Sequence, residues 1–240
     1  MTKLDGGTEH DHSLRYDAVF VDVDGTLLWV FFDVEGYVED LSPYTTNGSL
    51  TVERATGPVR EGLRRHIKEN IKHRTEEDLA GFRRRNAELT ARELGIEAPT
   101  EVLTRVAERR TSFNPYPESE AVLRRLREMG LTLYAVSNWD LQLVEVLEDL
   151  GWTRYFDGIV ASAVVGVEKP DLGIFEEALA VSGVRRDRAL HVGNDPVSDI
   201  RGAAEAGIDT VLVDRKGNIE APEATFIISA LRELPDLLED

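Results

Sequence analysis

From Glu118 to the C-terminus, short apolar runs alternate with amphipathic stretches that close on glycine, and this alternation constrains the fold more than any other feature. Residues 131–136, 159–161, 189–192 and 210–213 read as strands, with 225–228 as a last one. Residues 118–129, 141–150, 172–182 and 197–206 read as helices ended by Gly130, Gly151, Gly183 and Gly207, and 230–238 as a last helix. Glycine just past a helix supplies the left-handed residue that stops it. Strands alternating with helices of this length imply βαβ units, and so a parallel sheet covered on both faces. Residues 18–21, Ala-Val-Phe-Val, read as a further strand buried on both sides.

Between that strand and Glu118 the alternation is interrupted. Residues 28–32 stay apolar, and 33–50 are polar, with Gly36, Pro43, Asn47 and Gly48. So long a connection reads as a lid or mobile segment. From Thr56 to Ser112 the pattern is helical. Pro58 suits a first helical turn, and Val59, Leu63, His66, Ile67 and Ile71 form one stripe. Leu79, Phe82, Leu89 and Leu94 mark a second helix ending at Gly95, and Pro99 opens a third with Val102, Leu103, Val106 and Ala107 inward. Arg64, Arg65, Arg83, Arg84 and Arg85 fall on the expected solvated faces, and Phe113-Asn-Pro115-Tyr-Pro117 marks a rigid boundary. The expected fold is α/β. A Rossmann-like parallel-sheet core of residues 15–32 and 113–240 carries an inserted all-helical domain at 33–112, behind a flexible tail at 1–14.

A chain of 240 residues, 42% hydrophobic and 30% charged, can bury a full core. Its net charge of −17 argues against nucleic acid and anionic membranes as partners, both of which call for basic patches. No apolar run is long enough for a membrane span, and the N-terminus lacks the apolar segment of a signal peptide. Cysteine is absent, which removes thiol catalysis and thiolate metal sites and fits a cytoplasmic setting. His10 and His12 fall in the tail, where incidental placement is a plainer reading than a metal site; His66 and His73 fall on a helix face and His191 inside a strand, where a surface or packing role is the plainer one.

Polar residues recur where the strands end. Asp22 and Asp24 follow the first strand one residue apart, with Gly25 and Thr26 after them. Alternation along an extended chain turns both acids to one side, where like charges repel unless a cation lies between them. Ser137-Asn138 ends the strand 131–136, and Gly193-Asn194-Asp195 with Asp199 follows 189–192. Between these lies Lys169-Pro170-Asp171, whose lysine is one of five in the chain. Each has an ordinary structural reading as a turn or helix cap. Together they converge at the carboxyl edge of a parallel sheet, the usual ligand-binding edge of such folds.

In this order the segments Asp22-Val-Asp24-Gly-Thr-Leu, Ser137-Asn138, Lys169-Pro and Gly-Asn-Asp195-x-x-x-Asp199 resemble the four motifs of the haloacid dehalogenase superfamily of hydrolases. The resemblance covers residues 15–32 and 113–214, and it makes the insert a helical cap over a substrate site. It implies a Mg²⁺-dependent phosphatase acting on a small phosphorylated metabolite. Asp22 is then the nucleophile, and Asp24 the general acid and base. Asp22, Asp195 and the backbone carbonyl of Asp24 supply metal ligands. Ser137, Asn138 and Lys169 hold the phosphoryl oxygens, Lys169 adding charge at the transition state. Asp199 and Thr26 support them, Asp199 by positioning Lys169 or a metal-bound water. Asn194 is an alternative to Asp195 at its ligand position, and Trp139 is a candidate substrate contact. Alternatives are a sugar phosphomutase, a 2-haloacid dehalogenase, a phosphoacceptor signalling module of receiver type, and a silent binding protein. Halide-displacing relatives need no metal and typically lack the second acid, so Asp24 favours phosphate transfer. Substrate identity and oligomeric state are left open.

Overall fold

The structure is a computed structural model that describes residues 14–239, so the expected N-terminal tail, with His10 and His12, falls almost wholly outside it. Strand β1 (Ala18–Val21) is buried at every position. Strand β2 (Leu28–Phe32) then leads into helix α1 (Val34–Leu41). Helices α2 (Val52–Glu69), α3 (Glu76–Leu94) and α4 (Thr100–Arg109) follow, and β3 (Thr111–Pro115) returns antiparallel along β2, pairing Phe32 with Thr111 and Leu28 with Pro115. The helical insert therefore enters and leaves by one two-stranded ribbon.

The remaining chain supplies α5 (Ser119–Glu128), β4 (Thr132–Ser137), α6 (Leu143–Asp149), β5 (Gly158–Ala161), the short α7 (Ser162–Val165) and α8 (Leu172–Ser182). After β6 (Ala189–Gly193) come the short α9 (Gly202–Glu205), β7 (Asp209–Val213), β8 (Phe226–Ile228) and α10 (Leu234–Glu239). Six strands form one parallel sheet in the order β5-β4-β1-β6-β7-β8, the α/β architecture expected from the alternation. Val19, Val21, Leu133 and Ala135 pack into the core on one face, and Ala18, Phe20, Tyr134 and Val136 into the core on the other. Burial on both faces is why these strands read as unbroken apolar runs. Among the described residues no helix is long and apolar enough to cross a membrane.

The insert differs in detail from its sequence reading. Residues 33–50 are not a structureless lid. Asp33 caps α1 by accepting from Gly36 N at 2.9 Å, and Tyr37 and Leu41, one turn apart, enter the insert's own core. Nor does Pro58 open α2, which starts at Val52. Thr51 caps it, and Ala55 begins the buried stripe ahead of the proline, with Val59 just after it. Ile67, expected inward, is exposed. At α3 the reading holds, with Thr75 as N-cap and Gly95 at a φ of 66° closing the helix. The insert core of Tyr37, Leu41, Val59, Leu94, Leu103 and Val106 is separate from the two sheet cores. The segment expected as a helix over 197–206 begins as a wide turn, in which Ile200 N bonds the carbonyl of Asp195 at 3.2 Å.

Candidate functional site

β1 is central in the sheet, with β4 on one side and β6 on the other, Val21 lying beside both Ala135 and Val192. Whatever follows these three strands must meet. Asp22, buried just past β1, places Oδ1 2.7 Å from Lys169 Nζ and 3.1 Å from Ser137 Oγ, both donating to it. Its Oδ2 accepts from Thr26 Oγ1 at 3.0 Å. Lys169 is also buried, and its ammonium reaches three acceptors: Asp22, Asp199 Oδ1 at 2.6 Å and the Val136 carbonyl at 2.9 Å. Asn138 fastens the neighbouring loop to it: Nδ2 donates to the Lys169 carbonyl at 2.9 Å, and Oδ1 accepts from Lys169 N at 2.7 Å. Sequence-predicted Asp22, Thr26, Ser137, Asn138, Lys169 and Asp199 therefore form one connected network.

Asp24 lies at the solvent-facing mouth, where its Oδ1 accepts from Val30 N at 3.2 Å. The turn between the two acids and β2 needs Gly25. Its φ is 86°, and a side chain there would meet Asn194 at 2.6 Å. Gly193 is required for another reason. A Cβ at that position would overlap the Asp199 carboxyl at 2.2 Å, so its absence lets Asp199 come against the strand end.

Of the expected metal ligands, the Asp22 carboxylate, the Asp24 backbone carbonyl and the Asp195 carboxylate, the last is turned to its own loop. Among the described residues no three His, Asp or Glu side chains cluster as a metal site. Asp195 is the residue out of place. It caps the wide turn after β6, its Oδ1 accepting from Val197 N at 2.9 Å and Ser198 N at 2.6 Å. Asn194 instead turns inward, with Oδ1 3.1 Å from Thr26 Oγ1, beside Gly25. Adjacent residues leaving a strand end cannot both face the site, and the helix start claims the second. The inward side-chain oxygens at the mouth are thus those of Asp22 and Asn194, both on the Thr26 hydroxyl.

The electrostatics follow from this packing. Burial, and then repulsion by Asp199, push the Asp22 carboxyl upward even though Lys169 counters them. Desolvation in the cleft raises Asp24, with the Asp22 charge adding to it. Burial opposes ionisation of Asp199, but Lys169 and the hydrogen bond from His191 more than offset it and hold Asp199 well below the usual carboxylate range. Burial also works against the Lys169 cation, and the two carboxylates outweigh it, so its affinity for the proton rises. His191 Nε2 lies 3.1 Å from Asp199 Oδ1, and burial lowers its pKa. A neutral ring facing an ionised carboxylate carries its proton on Nε2.

Several residues gain roles their sequence positions did not reveal. His191 is a partner of Asp199 as well as a core residue. Arg215, just beyond β7, donates from Nη2 to the Thr26 carbonyl at 2.9 Å and from Nη1 to Glu118 at 2.6 Å, lying over the Tyr116 ring. Arg83, expected in solvent, reaches the sheet domain at Asp140. Trp139 is nine-tenths buried against Phe113, which makes it a packing residue. No local pattern signals these pairings: His191 and Asp199 meet only through the turn after β6, and the other partners lie far along the chain.

Sequence and structure comparisons agree with this architecture. The chain is 31% identical over 236 residues to a glyceraldehyde 3-phosphate phosphatase of Methanopyrus kandleri, covering 93% of this chain and 97% of that protein. It is 40% identical over 129 residues to a phosphoserine phosphatase of Thermus thermophilus, a match to 52% of this chain and about half of that enzyme (51%). A magnesium-bound putative hydrolase of Bacillus subtilis, YfnB, shares the fold with a TM-score of 0.65 at 21% identity, over 94% of this chain and all (100%) of that one. A family model described as haloacid dehalogenase-like hydrolase matches residues 16–207, most of the chain and every motif discussed above, and the protein belongs to that family.

Proposed function

We propose that the protein is a Mg²⁺-dependent phosphatase that hydrolyses a small phosphate monoester through an aspartyl-phosphate on Asp22. The observation that carries this reading is the pairing of a buried, lysine-held carboxylate at Asp22 with a second acid, Asp24, at the open mouth of the same strand end. Asp22 attacks phosphorus while the ester oxygen leaves with the proton of Asp24. The Asp24 carboxylate then takes a proton from water, whose oxygen attacks the phosphorus and frees Asp22 and inorganic phosphate. The raised proton affinity of Asp24 suits the first half of this cycle. Ser137, Asn138 N–H and Lys169 grip the phosphoryl oxygens, a contribution that grows as charge builds in the transition state.

The donor chemistry fits a hard cation. Asp22 and Asp199 set two carboxylates against the single ammonium of Lys169, and Asp24 adds a third negative charge beside Asp22, so a phosphate dianion needs further positive charge to enter. The Asp22 carboxylate, the Asp24 carbonyl and the Asn194 amide oxygen are all oxygen ligands of the kind Mg²⁺ takes. When bound, the ion neutralises carboxylate–phosphate repulsion. The insert, read as a cap, closes the mouth over the ester. Phosphatases are named among the relatives, and Asp24 separates this reading from halide displacement.

The test is a phosphate-release screen over small phosphate monoesters with Mg²⁺, phosphoserine and glyceraldehyde 3-phosphate included. Asp22→Asn is expected to lower turnover by at least about 10³-fold, and excess EDTA to abolish it. Turnover that survives either treatment refutes the mechanism, and halide release from 2-haloacids with no phosphate release selects the dehalogenase.

A further inference from the structure

Away from the ribbon, the insert meets the sheet domain through polar groups. From α3, Arg83 extends both amino groups across the gap: Nη2 donates to Asp140 Oδ2 at 2.7 Å and Nη1 to Gln142 Oε1 at 2.6 Å. From α2, His66 Nε2 lies 3.5 Å from the same Asp140 oxygen. Farther along, Arg74 donates to the Val164 carbonyl at 2.8 Å. On the sheet side, Asp140 is 2% exposed, and its remaining oxygen, Oδ1, accepts from Gln142 N at 3.0 Å.

The position of Asp140 gives this contact its meaning. It stands on the loop Ser137-Asn138-Trp139-Asp140, whose first residue donates to Asp22 and whose second clasps the Lys169 backbone. A carboxylate buried this deeply is costly unless charged partners reach it. Arg83 and His66 both come from the insert, so they stay in place only while the insert lies against the sheet. Burial works to raise Asp140, yet His66 and Arg83 hold it below the usual carboxylate range. The link is also breakable. The Arg83 side chain remains 21% exposed, so water can replace its partners, and among the described residues no buried apolar cluster spans the two halves. Polar interfaces of this kind permit relative motion by default.

We propose that Arg83 is a positioning residue: seated on Asp140, it couples closure of the insert to the setting of the loop that carries Ser137 and Asn138. Closure delivers the guanidinium to Asp140 and draws that loop into register with Asp22. Opening withdraws it and leaves the loop to water. The kinetic consequence rests on the phosphatase reading, whereas the structural coupling does not.

The chain has no cysteine, so two engineered ones accept spin labels cleanly. Leu89→Cys on α3 and Val181→Cys on α8, both exposed, report the separation of insert and sheet by pulsed electron paramagnetic resonance. The otherwise unaltered protein should give one narrow distance distribution. Arg83→Ala should broaden it toward longer distances, Arg83→Lys should restore it in part, and Arg84→Ala, on the exposed side of the same helix, should leave it unchanged. Asp140→Asn should shift it as Arg83→Ala does, and combining the two should add little beyond either alone. In the phosphate-release assay Arg83→Ala should lower kcat by about ten-fold, with a smaller change in KM. An unchanged distribution in Arg83→Ala, fully additive effects of the two substitutions, or an equal response to Arg84→Ala overturns the proposal. If the labelled parent hydrolyses no ester, the phosphatase reading fails by itself and the distance data still decide the coupling.

Discussion

At the scale of single residues, the site is a problem in placing charge. Lys169 is one cation between two buried carboxylates, and Asp199 is completed by two further donors, His191 Nε2 and the backbone N–H of Asp195 at 2.9 Å. Removing one member of such a network strands the rest in a medium that cannot solvate them. Asp199→Ala is therefore expected to destabilise the fold by about 3 kcal/mol or more, measured by urea denaturation. A loss below about 1 kcal/mol, the range of surface pairs, would show that Lys169 has other support. Asn194 makes the opposite case, a neutral oxygen beside a negative one. Asn194→Asp should lower the melting temperature in EDTA by a few degrees through repulsion with Asp22, and Mg²⁺ should more than restore it. An indifferent melting temperature in both conditions would place residue 194 outside any cation site.

At the scale of elements, turns and junctions decide where side chains go. The wide turn after β6 spends Asp195 on its own amides and carries Asp199 back to Lys169, with Gly193 clearing the space. The ribbon is held where it meets the insert by Arg110. Its Nε donates to Asp40 at 2.7 Å and its Nη1 to Asp33 at 3.0 Å, and Arg109 adds a second partner to Asp40. The Arg110 hydrogen bond holds the Asp40 carboxyl down to about 2, against an ordinary 3.8. A depressed carboxylate stabilises the fold above its unfolded pKa, and the benefit is lost as pH falls from about 4 toward 2. Asp40→Asn should therefore cost about 1 kcal/mol at pH 6 after allowance for solvent screening, and the gap from the parent protein should close near pH 2. A gap that stays constant over this range would mean Asp40 acts by packing alone.

At the scale of the whole molecule, one covalent ribbon and a few polar struts join the insert core to the cores of the sheet. Hydrogen exchange should therefore find the slowest amides in β1 and β4, which are buried on both faces, with the ribbon and the insert opening at lower free energy. Uniform protection across both halves would refute this division. The strands and their order of chemistry were legible in the sequence because a doubly covered strand is an apolar run whatever surrounds it, and whatever follows it lies at the sheet's edge. That reasoning located Asp22, Ser137, Lys169 and Asp199. It did not see α1 or the true start of α2, where capping by Asp33 and Thr51 outweighed the turn-forming look of Gly36 and Pro58. By itself the sequence determined which residues stand at the ends of the strands, because periodicity and burial are local. Only the tertiary structure decided that Asn194 faces the site in place of Asp195, and that Arg83 closes onto Asp140. The first depends on how a turn leaves its strand, and the second on two segments 57 residues apart meeting across a gap.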